Sequence, residues 1–119
     1  MIVMPTRYSD FEMTASDEGV ISFTDNVSLP ISVKITEVFF ETLGNCMERG
    51  HQSSIHVDGS ELLAFNAVDC QVFSQEVSIK LSRGAHTVQV MQDGYDPNEV
   101  VKGKVGIEFQ ISFTTSLGS

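Results

Sequence analysis

The chain has 119 residues, and seven Lys and Arg against sixteen Asp and Glu leave a net charge of −9. That balance repels phosphate backbones and anionic lipid, which argues against a nucleic-acid-binding or membrane-surface role. Apolar residues at 41% are too many for a disordered acidic tail and enough for one domain with a real core, but no run of them approaches the ~20 residues of a membrane helix.

Residues 1–19 show no alternation and carry Asp10, Glu12, Asp17 and Glu18 beside Pro5. They lack the long apolar stretch and small-residue cleavage site of a signal peptide, so a chain made in the cytoplasm is expected. Ile2, Val3, Met4, Tyr8, Phe11 and Met13 are costly to leave in water. The segment is therefore read as an N-terminal arm with two possible places: against a neighbouring subunit, or as a strand or flap on its own domain.

From residue 20 to 119 the dominant signal is period two, the spacing that puts alternate side chains on one face of a strand. Ile21 and Phe23 open the series, and Ile31, Val33 and Ile35 alternate with Ser32, Lys34 and Thr36. Near Val38-Phe39-Phe40 the parity breaks, which predicts a bulge, a strand end or a segment covered on both faces. A loop begins at Leu43-Gly44-Asn45 and runs to Gln52. Ile55 and Val57 then lead into Asp58-Gly59, whose tolerance of positive φ suits a tight hairpin. Leu62 to Phe65 and Gln71 to Phe73 are weaker strand candidates. Val77, Ile79 and Leu81 alternate clearly, Ser82 to Ala85 reverses the chain, and Val88 and Val90 follow. After the polar loop Asp93 to Asn98, the run Lys104 to Thr114 places Val105, Ile107, Phe109, Ile111 and Phe113 on one parity. A helix would scatter those five around its axis. About eight short antiparallel strands and no three-turn helix predict an all-β sandwich, most simply a jelly roll.

The chemistry-bearing residues form no convincing catalytic set. Cys46 and Cys70 lack zinc-ligand spacing and are read as two reduced thiols, one disulfide being arithmetically possible. His56-Val57-Asp58 with His86 has the order of an Fe(II) facial triad. His56 and Asp58, however, lie opposite the apolar Ile55 and Val57, and Asp58 is better used in the turn. His51 reads as a lone loop histidine. Asp93, Asp96, Asn98 and Glu99 offer oxygen ligands for calcium without EF-hand spacing, and Asp17, Glu18 and Asp25 are a weaker set. No Gly-x-Ser-x-Gly elbow or Gly-rich phosphate loop is present. Sugar recognition by stacking has few aromatics to use, with no Trp and two Tyr; Tyr95, beside Asp96 in the acidic loop, is the expected platform.

The stretch Ile55-His-Val-Asp-Gly, followed by Val77-Ser-Ile-Lys-Leu-Ser-Arg-Gly-Ala-His-Thr-Val-Gln-Val90 and a long closing strand, resembles small jelly-roll heads of bacteriophage virions, both decoration proteins and fibre heads. More remotely it is similar to the trimeric heads of the tumour necrosis factor and complement type. The resemblance covers Ile55 to Thr114 and implies a homotrimer with an external binding or clamping role and no catalytic residue; separately, no cofactor or metal is expected. The resulting expectation is a non-enzymatic virion cement protein that contacts capsid proteins. The alternative is a receptor- or carbohydrate-binding fibre head. Interface contacts are expected at Ile2, Met4, Tyr8 and Phe11 of the arm and at Met91, an apolar residue off the Val88/Val90 parity. A ligand loop is expected at Tyr95 and Asp96.

Overall fold

The computed structural model describes residues 2–43 and 46–112. Its strands are β1 (Ile2–Val3), β2 (Thr6–Thr14), β3 (Ile21–Leu29), β4 (Val33–Leu43), β5 (Gly50–Val57), β6 (Ser60–Val68), β7 (Phe73–Leu81), β8 (Gly84–Gln92) and β9 (Val100–Ser112), and no helix lies among the described residues. One sheet carries β1 and β2 along one edge of β9, followed by β4 and β7. The other has the order β3-β8-β5-β6. From β2 onward each strand crosses to the opposite sheet, except at the β5–β6 hairpin. This winding, with every pairing antiparallel, is the jelly roll expected from the alternation.

The expected turns are present. Asp58 and Gly59 hold φ of 50° and 84° between the paired Val57 and Ser60, as a type I′ hairpin requires. Ser82-Arg83 also reverses the chain, but β8 then enters the other sheet instead of pairing with β7. Gln71 and Val72 precede β7 and form no strand of their own. The closing strand is longer than its alternation suggested, beginning at Val100, and its Phe113 lies outside the described residues, as do Gly44 and Asn45.

The first residues belong to the sandwich's own sheet. β2 pairs with β9 from Thr6↔Glu108 to Thr14↔Val100, and β1 continues the same edge at Ile2↔Ser112 and Val3↔Ile111. Pro5 lacks an N–H and interrupts the ladder, while its carbonyl accepts from the Phe109 amide at 2.9 Å. Phe11, expected at an interface, is instead in the core at 7% exposure. It stacks on Phe23 at 5.1 Å and on Phe40 at 5.9 Å, and Phe40, Phe65 and Phe73 extend the row of rings across to β7. The Phe11/Met13 alternation with Asp10 and Glu12 was present in the sequence, but over too few residues to stand out.

The parity break in β4 comes from a bulge at Thr36, slightly upstream of the expected place. The register against both β7 and β9 shifts between Ile35 and Glu37. Core-facing positions therefore change from Val33 and Ile35 to Val38, Phe40 and Thr42. The Thr36 hydroxyl donates to the Glu108 carboxylate at 2.9 Å, fixing the extra residue.

Cys46 and Cys70, expected as free thiols, form a disulfide with Cα atoms 5.2 Å apart. The physical reason is topological. Chain reversal brings the end of β4 beside the segment after β6, where the Cys70 amide donates to the Thr42 carbonyl at 2.9 Å.

The two sheets differ in the charge of their outer faces. The first carries Asp10 and Glu12 on β2, Lys102, Lys104 and Glu108 on β9, Lys34, Glu37 and Glu41 on β4, and Glu76 and Lys80 on β7. The strands of the second hold only Asp25 and Glu61 as charged residues, and Asp25 turns toward Arg7 and Ser9 of β2. Its outer surface consists of Ser22, Thr24, Asn26, Ala85, Thr87, Gln89, Met91, Gln52 and Ser54 with their neighbours.

Candidate functional site

Two aromatic residues share one register row on the outer face of the charged sheet. Tyr8 on β2 and Phe39 on β4 both pair in register with Gly106 on β9. Because position 106 has no side chain, the Tyr8 ring lies across the β9 backbone. A Cβ at Gly106 would stand 2.7 Å from Tyr8 Cε1 and 3.3 Å from Phe39 Cβ. The ring is thus held against the sheet while Tyr8 remains 59% exposed. Lys104, one row away, places its ammonium 5.7 Å from the ring centroid. Together with Glu41 and Val72 these residues bound a shallow depression of about 200 Å³. An exposed π-face beside charged donors and acceptors can stack on one face of a ligand and hydrogen-bond to its rim.

The ligand loop expected around Tyr95 is a locked polar core. Tyr95 is 7% exposed and stacks on His51 with centroids 4.0 Å apart, so it offers no platform. Its hydroxyl donates to Gln92 Oε1 at 2.8 Å, and Gln92 in turn donates to Ser53 Oγ at 2.9 Å. His51 is fully buried on β5, with Nε2 2.7 Å from Asp69 Oδ1 and Nδ1 2.7 Å from the Asp93 carbonyl. Arg49 bonds Asp69 through Nε at 3.0 Å and grips Glu99 with two nitrogens at 2.9 and 2.7 Å. That grip holds the Glu99 carboxyl down at about 2. Burial, with the Asp69 charge nearby, pushes the Tyr95 phenol above its ordinary value. Asp96 contributes its backbone amide, which donates to Glu99 Oε1 at 3.1 Å.

Two of the four calcium ligands considered in this loop are committed elsewhere. Glu99 is bound to Arg49, and Asp93 Oδ1 accepts the Gln52 amide at 3.1 Å. No group of three His, Cys, Asp or Glu is placed to hold a metal ion among the described residues.

Of the facial-triad residues, the structure joins two and excludes the third. Asp58 Oδ2 lies 2.6 Å from His86 Nδ1, whereas His56 turns to Ser54 Oγ on the outer face. His86 Nε2 lies 2.7 Å from the Ser82 carbonyl, and Asp58 Oδ1 accepts the Thr87 amide at 2.9 Å. The Asp58 hydrogen bond raises the His86 pKa above 6.5, and His86 lowers that of Asp58 below 3.8. The pair's contribution to stability has two limits. The Asp58 part is lost as pH falls through its lowered folded value, and the His86 part is lost as pH rises through its raised folded value. In an NMR titration the His86 ring should titrate above 6.5, and Asp58→Asn should return it toward 6.5. An unmoved midpoint would show that Asp58 is not the cause.

The remaining interface candidates do not form one patch. Ile2 and Met4 are 63% and 49% exposed at the β1–β9 edge, whereas Met91 lies on the outer face of the other sheet. The residues that sequence reasoning missed are Phe39, Gly106 and Lys104 on the face and Arg49, His51 and Asp69 within. For His51 a signal existed, since it shares the odd parity of Ile55 and Val57. For the Tyr8 row none did, because only strand register brings positions 8, 39 and 106 together.

No protein-family model matches the chain, and no curated protein does. Solved structures do match. A family 35 carbohydrate-binding module from Clostridium thermocellum has a TM-score of 0.53 at 15% identity, over 88% of this chain and 97% of that one. A family 35 module from an environmental isolate gives 0.56 at 14% identity, over 77% and 68%. The CBM36-1 domain of a multidomain xylanase from the hindgut metagenome of Trinervitermes trinervoides gives 0.50 at 4% identity, over 89% and 100%. What is shared is the fold. At these identities the likeness carries no residue roles across.

Proposed function

We propose that the protein is a non-catalytic binding module that takes a glycan on the Tyr8 face. The observation that carries this reading is the Tyr8 ring, packed against Gly106, more than half exposed and flanked by Phe39, Glu41 and Lys104. Pyranose rings present apolar C–H faces and a hydroxyl rim, which suits such an arrangement. The three solved structures named above, all carbohydrate-binding modules, share the fold and support the reading. It moves the sugar platform from Tyr95, which is buried, to the other tyrosine.

The test is a polysaccharide panel scored by affinity electrophoresis, followed by calorimetry on the best ligand. Tyr8→Ala should cost about 2 kcal/mol, roughly 30-fold in affinity, as expected of an aromatic anchor. Gly106→Val, which displaces the ring without removing it, should weaken binding comparably while leaving the unfolding midpoint nearly unchanged, because Tyr8 is free to swing into solvent. A panel with no ligand, or a Tyr8→Ala protein that binds like the parent, rejects the proposal.

One observation favours a second reading, that of a virion structural subunit assembling as a homotrimer. In a chain of net charge −9, the outer surface of the β3-β8-β5-β6 sheet is almost free of charge, with Met91 exposed near its middle. Charge depletion marks the buried centre of subunit interfaces. Sedimentation velocity should then find a trimer that Met91→Glu disperses. A monomer at every concentration removes this reading and leaves the glycan face untouched.

A further inference from the structure

At the end of the sandwich opposite Arg49 and the disulfide, Ser32 before β4, the β5–β6 turn and the β7–β8 turn surround a groove of about 720 Å³. Lys34 on β4 and Lys80 on β7 line it and stand directly opposite each other in the strand register, with Gln110 of β9 paired to Lys34. Two of the seven basic residues of a −9 protein are therefore neighbours at this groove. Like charges opposed on adjacent strands repel. Among the described residues neither lysine has a carboxylate within ion-pair distance. Asp58 is the one carboxylate lining the groove among the described residues, and both its oxygens are taken, by His86 and by the Thr87 amide. Among the described residues, then, the groove presents positive charge with no acid free to answer it.

An ammonium is a compact charge with three donors and suits a tetrahedral oxyanion, and Ser32, Ser82 and Gln110 add neutral hydrogen-bonding groups to the same lining. We propose that this groove binds a phosphate or sulfate group, free or as a monoester, with Lys34 and Lys80 as its direct ligands. An anion between the two ammonium groups replaces their repulsion by two charge-assisted contacts. The groove shares no residue with the Tyr8 depression, so this site stands or falls independently of the glycan reading.

The experiment is a ¹H–¹⁵N NMR titration of the full chain with sodium phosphate and with sodium sulfate, sodium chloride at matched ionic strength serving as reference. Saturable shifts are expected at the amides of Lys34, Lys80 and Ser82, with a Kd of about 1–10 mM for the bare ions. A sulfated disaccharide and a phosphorylated monosaccharide, added separately, distinguish a free ion from an ester: tighter binding of one of them identifies the source. Lys34→Gln and Lys80→Gln should each weaken binding roughly tenfold or more, the loss of one charge-assisted contact, while Lys102→Gln binds as the parent does. Both lysines are on the surface, so the variants should fold, and spectral dispersion verifies it. Shifts that chloride reproduces, or Gln variants that bind undiminished, overturn the proposal.

Discussion

Arg49→Met should destabilise the protein by about 3–5 kcal/mol at pH 7, the cost of removing one partner from a desolvated ion cluster. Arg49 bridges two carboxylates that lie far apart in the chain, and the Asp69 and Glu99 side chains are only 6% and 18% exposed. Methionine fills a similar volume but leaves Glu99 without the donors that hold it at about 2. Double replacement, Arg49→Met with Glu99→Gln, removes the stranded charge and should recover part of the loss, which separates a charge effect from a packing effect. Urea unfolding of the three proteins measures this.

The same pair sets an acid limb. A carboxyl whose folded pKa is depressed contributes stability above its unfolded value, near 4.5, and loses it as pH falls through about 2. The gap between parent and Arg49→Met should therefore narrow as pH falls from about 4.5 toward 2. A gap constant over that range would show that Glu99 is not the partner being lost.

Replacing Cys46 and Cys70 together by Ser should cost about 3.5 kcal/mol, since the bridge closes a loop of 24 residues' separation in the unfolded chain. For a domain of this size the corresponding fall in Tm is roughly 10–15 °C. The bridge lies next to the arginine cluster, because Cys70 follows Asp69 and the Asp69 amide donates to the Arg49 carbonyl at 3.1 Å. The two lesions should therefore not add, and a measured coupling of about 0.5 kcal/mol or more is expected in the combined variant. Calorimetry with and without reductant on the parent gives an independent check. A parent whose Tm ignores reductant, with the thiols verified as free, would contradict a stabilising bridge.

Both predictions concern the loop end where sequence reasoning placed a polar ligand loop. Asp93 to Glu99 reads as solvated because four polar or charged residues in seven imply water contact. The fold instead lays Tyr95 flat on His51 and uses Glu99 as the counter-ion of an arginine from another loop. Composition reports how polar a segment is, whereas its partners depend on which loops the winding brings to the same end. Phe11 illustrates the same limit. Its inward parity with Met13 is local, but its burial depends on Phe23 and Phe40 from both sheets. The candidate glycan face was half legible: Tyr8 was singled out as a contact residue, and its role as a platform came only with Gly106 beneath it.

Local side-chain rhythm by itself determined that this protein is built of antiparallel strands with one buried face, because alternation of side chains is a property of a single ribbon and needs no partner to define it. The Asp58-Gly59 turn was equally self-contained, its two positive φ angles being set by residue type. Tertiary structure alone decided which ribbons neighbour one another, and with that the disulfide, the Arg49 cluster, the uncharged sheet and the juxtaposed Lys34 and Lys80. Each of these joins positions remote in the chain, whose proximity follows from closing two sheets over a common core.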